Sequence, residues 1–363
     1  MTHTAELLTY ITPEEYSRLI TQNIISIERG KETHIRELAQ YGITDLHLKR
    51  VRIEDKFTLY QCKAVINLQR IVNDGQRTIA TYDNEKDFPT LARNFKKYMS
   101  PILPHYSNIS TWSLQRIDYN IDLKMSALEV EQYITLLQRG NKNYSWKIHE
   151  TAQEKKARQR SGHGRRKKTH PPGSVLFDNK QYSVNIYNKQ WERIAVQEKR
   201  GIVDIEERKA AEGILRIEIQ VKQNKVNALK DRYGIPEKSI EHFARYDIAV
   251  PIITKALMDI TGTEDYCTLE IAEKRIMHGV TLSKTRIATM EFLRLVSRTR
   301  SLWRAKELYR GEIKEETVMQ NLKRLDINPV TIPVSFHRDI MGSLYNMAAV
   351  QLAEEQSRYC GVG

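Results

Sequence analysis

Arg116-Ile117-Asp118-Tyr119-Asn120-Ile121-Asp122-Leu123-Lys124 alternates polar and apolar residues without a break. Period two is the mark of a strand with one buried and one wetted face, so Ile117, Tyr119, Ile121 and Leu123 should face a core. Two later stretches repeat the pattern. Tyr182-Ser183-Val184-Asn185-Ile186-Tyr187-Asn188-Lys189 sets Val184 and Ile186 against Ser183, Asn185, Tyr187 and Lys189. Leu215-Arg216-Ile217-Glu218-Ile219-Gln220-Val221-Lys222 sets four aliphatic residues against Arg216, Glu218, Gln220 and Lys222. Between the first and second stretches, Ser126 and Glu129 form a capping box ahead of Leu128, Tyr133, Leu136 and Leu137, and Gly140 ends the helix. The expected fold is therefore α+β: a central, mostly antiparallel sheet with covering helices in residues 101–234, their polar faces able to form one surface.

Working outward, residues 1–100 open on a helix start at Thr12-Pro13-Glu14-Glu15, expected to run to Gly30. A second helix is expected from Glu32 to Tyr41, with strands near Val51–Ile53 and Phe57–Val65. This part is either a section of the sheet domain or an accessory element. After Lys222 the chain reads as helical: Asn224–Tyr233, Pro236–Ile260 interrupted at Pro251, Ser283–Tyr309, Glu315–Leu325 and Ser335–Glu355. Residues 235–363 are thus expected to be an α-helical C-terminal region. The helix from Ser283 carries Lys284, Arg286, Arg294, Arg298, Arg300 and Arg304. Such a helix either recognises a partner or forms the outer face of a bundle.

The chain of 363 residues carries 58 Lys and Arg against 45 Asp and Glu, a net charge of +13. Excess positive charge of this size points to a polyanion, nucleic acid first. It concentrates in residues 154–173, where Lys155, Lys156, Arg158, Arg160, Arg165, Arg166, Lys167 and Lys168 run towards the second alternating stretch. That loop is expected to hold a DNA backbone without reading sequence; the alternative is a solvated linker. Cys62, Cys267 and Cys360 suit neither a disulfide framework nor a CxxC zinc site. No apolar run reaches the length of a membrane span and no signal peptide is evident, so the expected location is the cytoplasm.

Asp118 and Asp122 stand four apart on one strand, hence on one face but roughly 13 Å apart at about 3.3 Å per residue. One aspartate with a glutamate from a neighbouring strand suits a hard cation better, and Glu218 is the natural second ligand. Oxygen ligands favour Mg2+ or Mn2+. The alternative is a solvated face of ordinary charges. Tyr187, on the polar face of its stretch, is expected to be open to reaction. Its phenol needs help to lose a proton near pH 7, from Lys189, Arg216 or a metal; the alternative is cross-strand packing.

Three segments in this order resemble the replication initiation factor family, the Rep proteins of rolling-circle plasmids, together with related relaxases of conjugative elements. They are Arg116-Ile117-Asp118 with Asp122, then Ile186-Tyr187-Asn188-Lys189 with Glu192-Arg193, then Arg216, Glu218, Ile219 and Lys222. The resemblance covers about Arg116 to Lys222. It implies that Tyr187 is the nucleophile that becomes joined to a DNA 5′ phosphate, that Asp118, Asp122 and Glu218 supply the metal site, and that the helical region 235–363 recognises the origin sequence or contacts a partner. Two places depart from the family pattern: Leu176-Phe177-Asp178-Asn179-Lys180 precedes the tyrosine stretch, and Asn185 stands where an arginine is common. The expected partners are origin DNA, single-stranded at the nick, with a second copy of the chain and a host helicase as further candidates. A relaxase would perform the same chemistry at a transfer origin, and a non-catalytic DNA-binding regulator could share the fold.

Overall fold

The computed structural model describes residues 1–22, 37–53, 57–76, 82–140, 147–148 and 173–360. The chain is α+β, with one large sheet and many helices. The strands are β1 (Thr2–Ile11), β2 (Ile43–Ile53), β3 (Phe57–Asn67), β4 (Ser113–Lys124), β5 (Lys147–Ile148), β6 (Ser174–Asp178), β7 (Tyr182–Asn188) and β8 (Ile214–Val221). Their order is β2-β3-β1-β4-β8-β7-β6-β5. The pairs β1–β3, β1–β4, β2–β3 and β5–β6 are antiparallel.

The chain divides into two compact units that do not follow sequence order. One comprises Met1–Asn120, Lys180–Ser183 and Glu218–Pro251; the other comprises Ile121–Asn179, Val184–Ile217 and Ile252–Gly363. β4 and β8 each contribute residues to both.

In the first unit, β1 joins β3 and β4, a strand absent from the sequence expectation. Its apolar period is broken by irregularities in the pairing with β4, between Thr2 and Thr4 and between Glu6 and Leu7. Ala5, Leu7, Leu46, Leu48, Cys62, Ala64 and Ile66 are buried on the core side. Helix α1 (Pro13–Thr21) begins as expected, with the Thr12 side chain accepting from the Glu15 amide. Residues 23–36 lie outside the description, and Glu37–Tyr41 forms a 3-10 turn. Helix α2 (Leu68–Val72) follows β3, and helix α3 (Asn84–Met99), capped by Asp83, brings Phe95 edge-on to Trp112 at 5.8 Å between ring centroids.

In the second unit, helix α4 (Ala127–Arg139) has the full capping box: Ser126 accepts from the Glu129 amide, and the Glu129 carboxylate accepts from the Ser126 amide. Helix α5 (Lys189–Arg200) starts directly at the end of β7, and α6 (Ile205–Ala210) follows. The C-terminal part is mainly helical as expected, but several expected helices differ: the break in Pro236–Ile260 falls between Ile240–Phe243 and Tyr246–Thr261, with Pro251 inside the second helix, and the last helix is Leu344–Cys360, starting well after Ser335. Ser283–Thr299 and Leu302–Leu308 are separate helices, because Arg300 adopts a left-handed conformation (φ 52°) and Ser301 caps the second. Leu269–Gly279 is an additional helix, and Tyr266–Cys267 pairs with Ile340–Met341 in a small second sheet.

Candidate functional site

In the first unit, the polar side of β1, β3, β4 and β8 carries a chain of charges. Register places Glu6 opposite Arg116 and Thr4 opposite Asp118. Glu6 is bound by Lys63 at 3.2 Å and lies 3.7 Å from Arg116. The Arg116 guanidinium turns its fork on Asp118, Nε to Oδ1 at 3.1 Å and Nη2 to Oδ2 at 3.3 Å. Next to these, His3 Nδ1 stands 3.9 Å from the Glu218 carboxylate and 2.8 Å from the Thr4 hydroxyl, while its Nε2 lies 3.3 Å from the Asn67 amide. Strand parity alone would send His3 to the side opposite Thr4; it falls at the first irregularity of β1, where strict alternation lapses.

Burial dominates the electrostatics here. The Asp118 carboxyl is pushed up to about 7 by desolvation, against the pull of Arg116 and with a further push from the Glu218 charge. Asn120, two residues along, is 1% exposed, and neither its amide nitrogen nor its oxygen has a hydrogen-bond partner among the described residues. Asp118, Glu218 and the unmatched Asn120 amide are oxygen donors of the type a hard cation takes, with both Asp118 oxygens already held by Arg116. Asp118 and Glu218 are the residues that would hold it. Asp122, like Asp118, has both carboxylate oxygens bound by an arginine, here Arg216 at 2.5 Å each. Among the described residues, no three His, Cys, Asp or Glu side chains form a metal-binding group.

In the second unit lie Tyr187, Lys189 and Arg216. The alternating period made Tyr187 an open, surface-facing phenol, but the residue is only 7% exposed. Its strand ends one residue later, where Asn188 leaves the sheet to cap α5 by accepting from the Trp191 amide. Lys189 is therefore the first helical residue and not the last of a strand. Its ammonium nevertheless turns inward, 2% exposed, 5.5 Å from the centroid of the Tyr187 ring. Glu192, one helical turn on, accepts from it at 2.9 Å. Desolvation, then repulsion from Arg216, lowers Lys189 to about 8 in spite of Glu192. Arg193 lies 3.5 Å from Glu192 and 3.2 Å from Glu207 of α6, which ties the start of α5 to the next helix. Gly173 allows α5 to close on β6, since at φ +75° a β-carbon there would fall 2.4 Å from the Trp191 ring.

In the first unit Arg116, Glu6 and His3, and in the second Glu192, join the candidate residues from the structure. Arg116 and Glu192 already stood in the three quoted segments, whereas Glu6 and His3 left no readable signal. Lys155, Lys156, Arg158, Arg160, Arg165, Arg166, Lys167 and Lys168 lie outside the described residues. No helix among the described residues is long and apolar enough to cross a membrane. No protein-family model, curated protein or solved structure matches the chain.

Proposed function

We propose that the chain nicks and rejoins one strand of DNA through a covalent 5′-phosphotyrosine link, as a rolling-circle replication initiator does. The observation that carries this reading is the pairing of Tyr187 with a lysine depressed to about 8. A phenol with an ordinary pKa of about 10 is a poor nucleophile at neutral pH, and a lysine lowered to about 8 beside it is a base in the fraction that is neutral, a fraction that grows as pH rises through 8. In the proposed step, the Tyr187 oxygen forms a bond to phosphorus as the bond from phosphorus to the 3′ oxygen breaks. The phenolic proton passes to Lys189 and then to the departing 3′ oxygen. Arg216, held by Asp122, adds fixed positive charge. Rejoining is the same exchange in reverse, so no nucleotide cofactor is required.

Asp118 and Glu218 are proposed to hold Mg2+ or Mn2+, with Arg116 fixing the orientation of Asp118. When bound, such an ion withdraws charge from the non-bridging phosphate oxygens. The resemblance in the three alternating stretches supports the assignment of Tyr187 as nucleophile and of the acids as ligands. Residues 155–168 are proposed to hold the DNA backbone near the cut.

Supercoiled plasmid bearing the element's own origin, incubated with the full chain and Mn2+, should yield open circles and a protein-linked 5′ end. Tyr187→Phe should yield neither. One observation favours a second reading, a DNA-binding regulator without catalysis: Tyr187 is nearly buried and both oxygens of Asp122 are occupied. Origin binding by the wild type with no nick and no adduct selects that reading. A relaxase would behave as the initiator does in this assay and differ in requiring a transfer origin.

A further inference from the structure

In the first unit, the side of β1, β2 and β3 that bears Glu6 differs from an ordinary wetted sheet face. Register sets Val51 beside Leu59, Lys49 beside Gln61 and Tyr10, His47 beside Lys63 and Leu8, and Asp45 beside Val65 and Glu6. An antiparallel face open to water carries polar residues at such positions. Here Leu8, Val51, Leu59 and Val65 interrupt them, Leu8 buried and the others half-buried. The strands hold Lys49, Arg50, Arg52 and Lys63 against Asp45 and Glu6. Glu6 is already matched by Lys63 and Arg116.

The row Lys49–Gln61–Tyr10 crosses all three strands. Tyr10 is 50% exposed, and the Gln61 amide reaches its phenol at 3.5 Å. Tyr16 and Tyr60 pair with each other, and Tyr10 joins no ring contact among the described residues. Packing therefore does not account for its ring. Lys49, at the other end of the row, is exposed and has no acidic partner among the described residues. Adjacent strands lie about 4.8 Å apart, so cation, amide and ring follow one another over about 10 Å. These are, in order, partners for a backbone phosphate, a base edge and a base face.

We propose that this face binds single-stranded DNA, with a base stacked on Tyr10, a base edge on Gln61 and a backbone phosphate on Lys49. Every base has a π face, so the contact tolerates any sequence, and the interleaved Val51 and Leu59 offer apolar surface to sugars and bases. A duplex keeps its base faces stacked inside and has none to give Tyr10. Continuity also favours the single strand. Along β1 the same face reaches Thr4, opposite Asp118, roughly 20 Å from Tyr10 at about 3.3 Å per residue. The inference rests on the proposed action on DNA and gives β1, β2 and β3 a part in it: they hold the single strand that leads to Asp118 and Glu218.

Fluorescence anisotropy of a labelled oligothymidylate of about 15 nucleotides, within the span such surfaces cover, tests the contact with the full-length chain. Tyr10→Ala should weaken its binding by about 5- to 100-fold and leave a blunt duplex of the same length bound as by wild type. Tyr10→Phe keeps the ring and should bind the single strand as wild type does. Lys49→Ala should reduce the salt slope of log affinity for the single strand by about 0.7. Both side chains are open to solvent, so melting temperatures should stay within about a degree or two of wild type. An oligonucleotide carrying 5-iododeoxyuridine should cross-link to Tyr10 on irradiation, a reading of the contact that needs no substitution. Tyr10→Ala with undiminished single-strand affinity overturns the inference, and so does an equal loss for single strand and duplex, or a cross-link confined to other residues. Wild type that binds the strand through Tyr10 yet forms neither nick nor adduct defeats the nicking proposal and leaves this surface standing.

Discussion

At the scale of single residues, Lys189 couples burial to chemistry. Its value in the folded chain, about 8, lies below the ordinary 10.5. Between those two values the unfolded chain binds more protons than the folded one, so stability rises with pH across that window. The contribution is complete above about 10.5 and is lost as pH falls through about 8, amounting to about 3 kcal/mol. Lys189→Met should flatten this part of the stability–pH curve in urea titrations at pH 7.5 to 10.5. The proposed proton transfer needs the neutral amine, so the nicking rate should climb with an apparent pKa near 8. Lys189→Arg should remove that inflection. Asp118 has the opposite sign: with a folded value of about 7, above the ordinary 3.8, its stabilising contribution is present below about 4 and lost as pH rises through 7. Asp118→Asn should therefore raise stability at pH 8 by on the order of 1–3 kcal/mol and leave it unchanged at pH 4. Under the proposed metal site, Mn2+ should raise the melting temperature of the wild type and leave that of the same variant unchanged. Of these environments, sequence revealed residue type and face only. Alternation identified Asp118, Glu218 and Tyr187 as neighbours of polar positions, but it carries no information on which helices cover that face. Tyr187 at 7% exposure and Lys189 at 2% record coverage, a tertiary property.

At the scale of elements, legibility followed regularity. β4, β7 and β8 were readable because each keeps period two over most of its length, and α4 because Ser126 and Glu129 announce its first turn. β1 was unreadable because its two irregularities bring Leu7 and Leu8 together as adjacent buried residues and take His3 out of phase. An extra residue in one strand erases the period while preserving the ladder. The break between Ser283–Thr299 and Leu302–Leu308 falls at Arg300 with no glycine to mark it, and the only local sign was Ser301, whose side chain accepts from the Arg304 amide. Leu269–Gly279 had its own sign in Thr268, which caps it by accepting from the Ile271 amide. The α4 cap is a test of how much such local signals carry. Glu129 accepts from the Ser126 amide and hydroxyl and also from Arg338, so the box is tied to a distant segment. Ser126→Ala should cost about 1 kcal/mol in chemical denaturation. Ser126→Asp should recover most of that loss, because a carboxylate can still accept from the Glu129 amide.

At the scale of the whole molecule, the candidate residues divide between the two compact units: Asp118 and Glu218 in one, Asp122, Tyr187, Lys189 and Arg216 in the other. The division runs through β4 and β8, the strands that bear most of the acids. No reading by consecutive segments could anticipate it, because residues 180–183 and 218–251 return to the unit that begins at Met1. Whether Tyr187 and the two acids act on one phosphodiester is a matter for kinetics. Groups that act on a single transition state are strongly non-additive: once one is removed, removing the next changes little. Tyr187→Phe and Asp118→Asn, each measured on a single-stranded origin oligonucleotide, should lower nicking by several orders of magnitude. Their combination should be no slower than the worse single variant. Losses that multiply would mean that the two sets act independently, and Asp118 with Glu218 would then have a role in the fold and not in the cut. The net charge of +13 adds a control, because binding of the same oligonucleotide should weaken steeply and equally with salt in all four proteins. Equal salt slopes with unequal nicking place the defect in chemistry, whereas a slope altered in either variant places it in how the DNA is held.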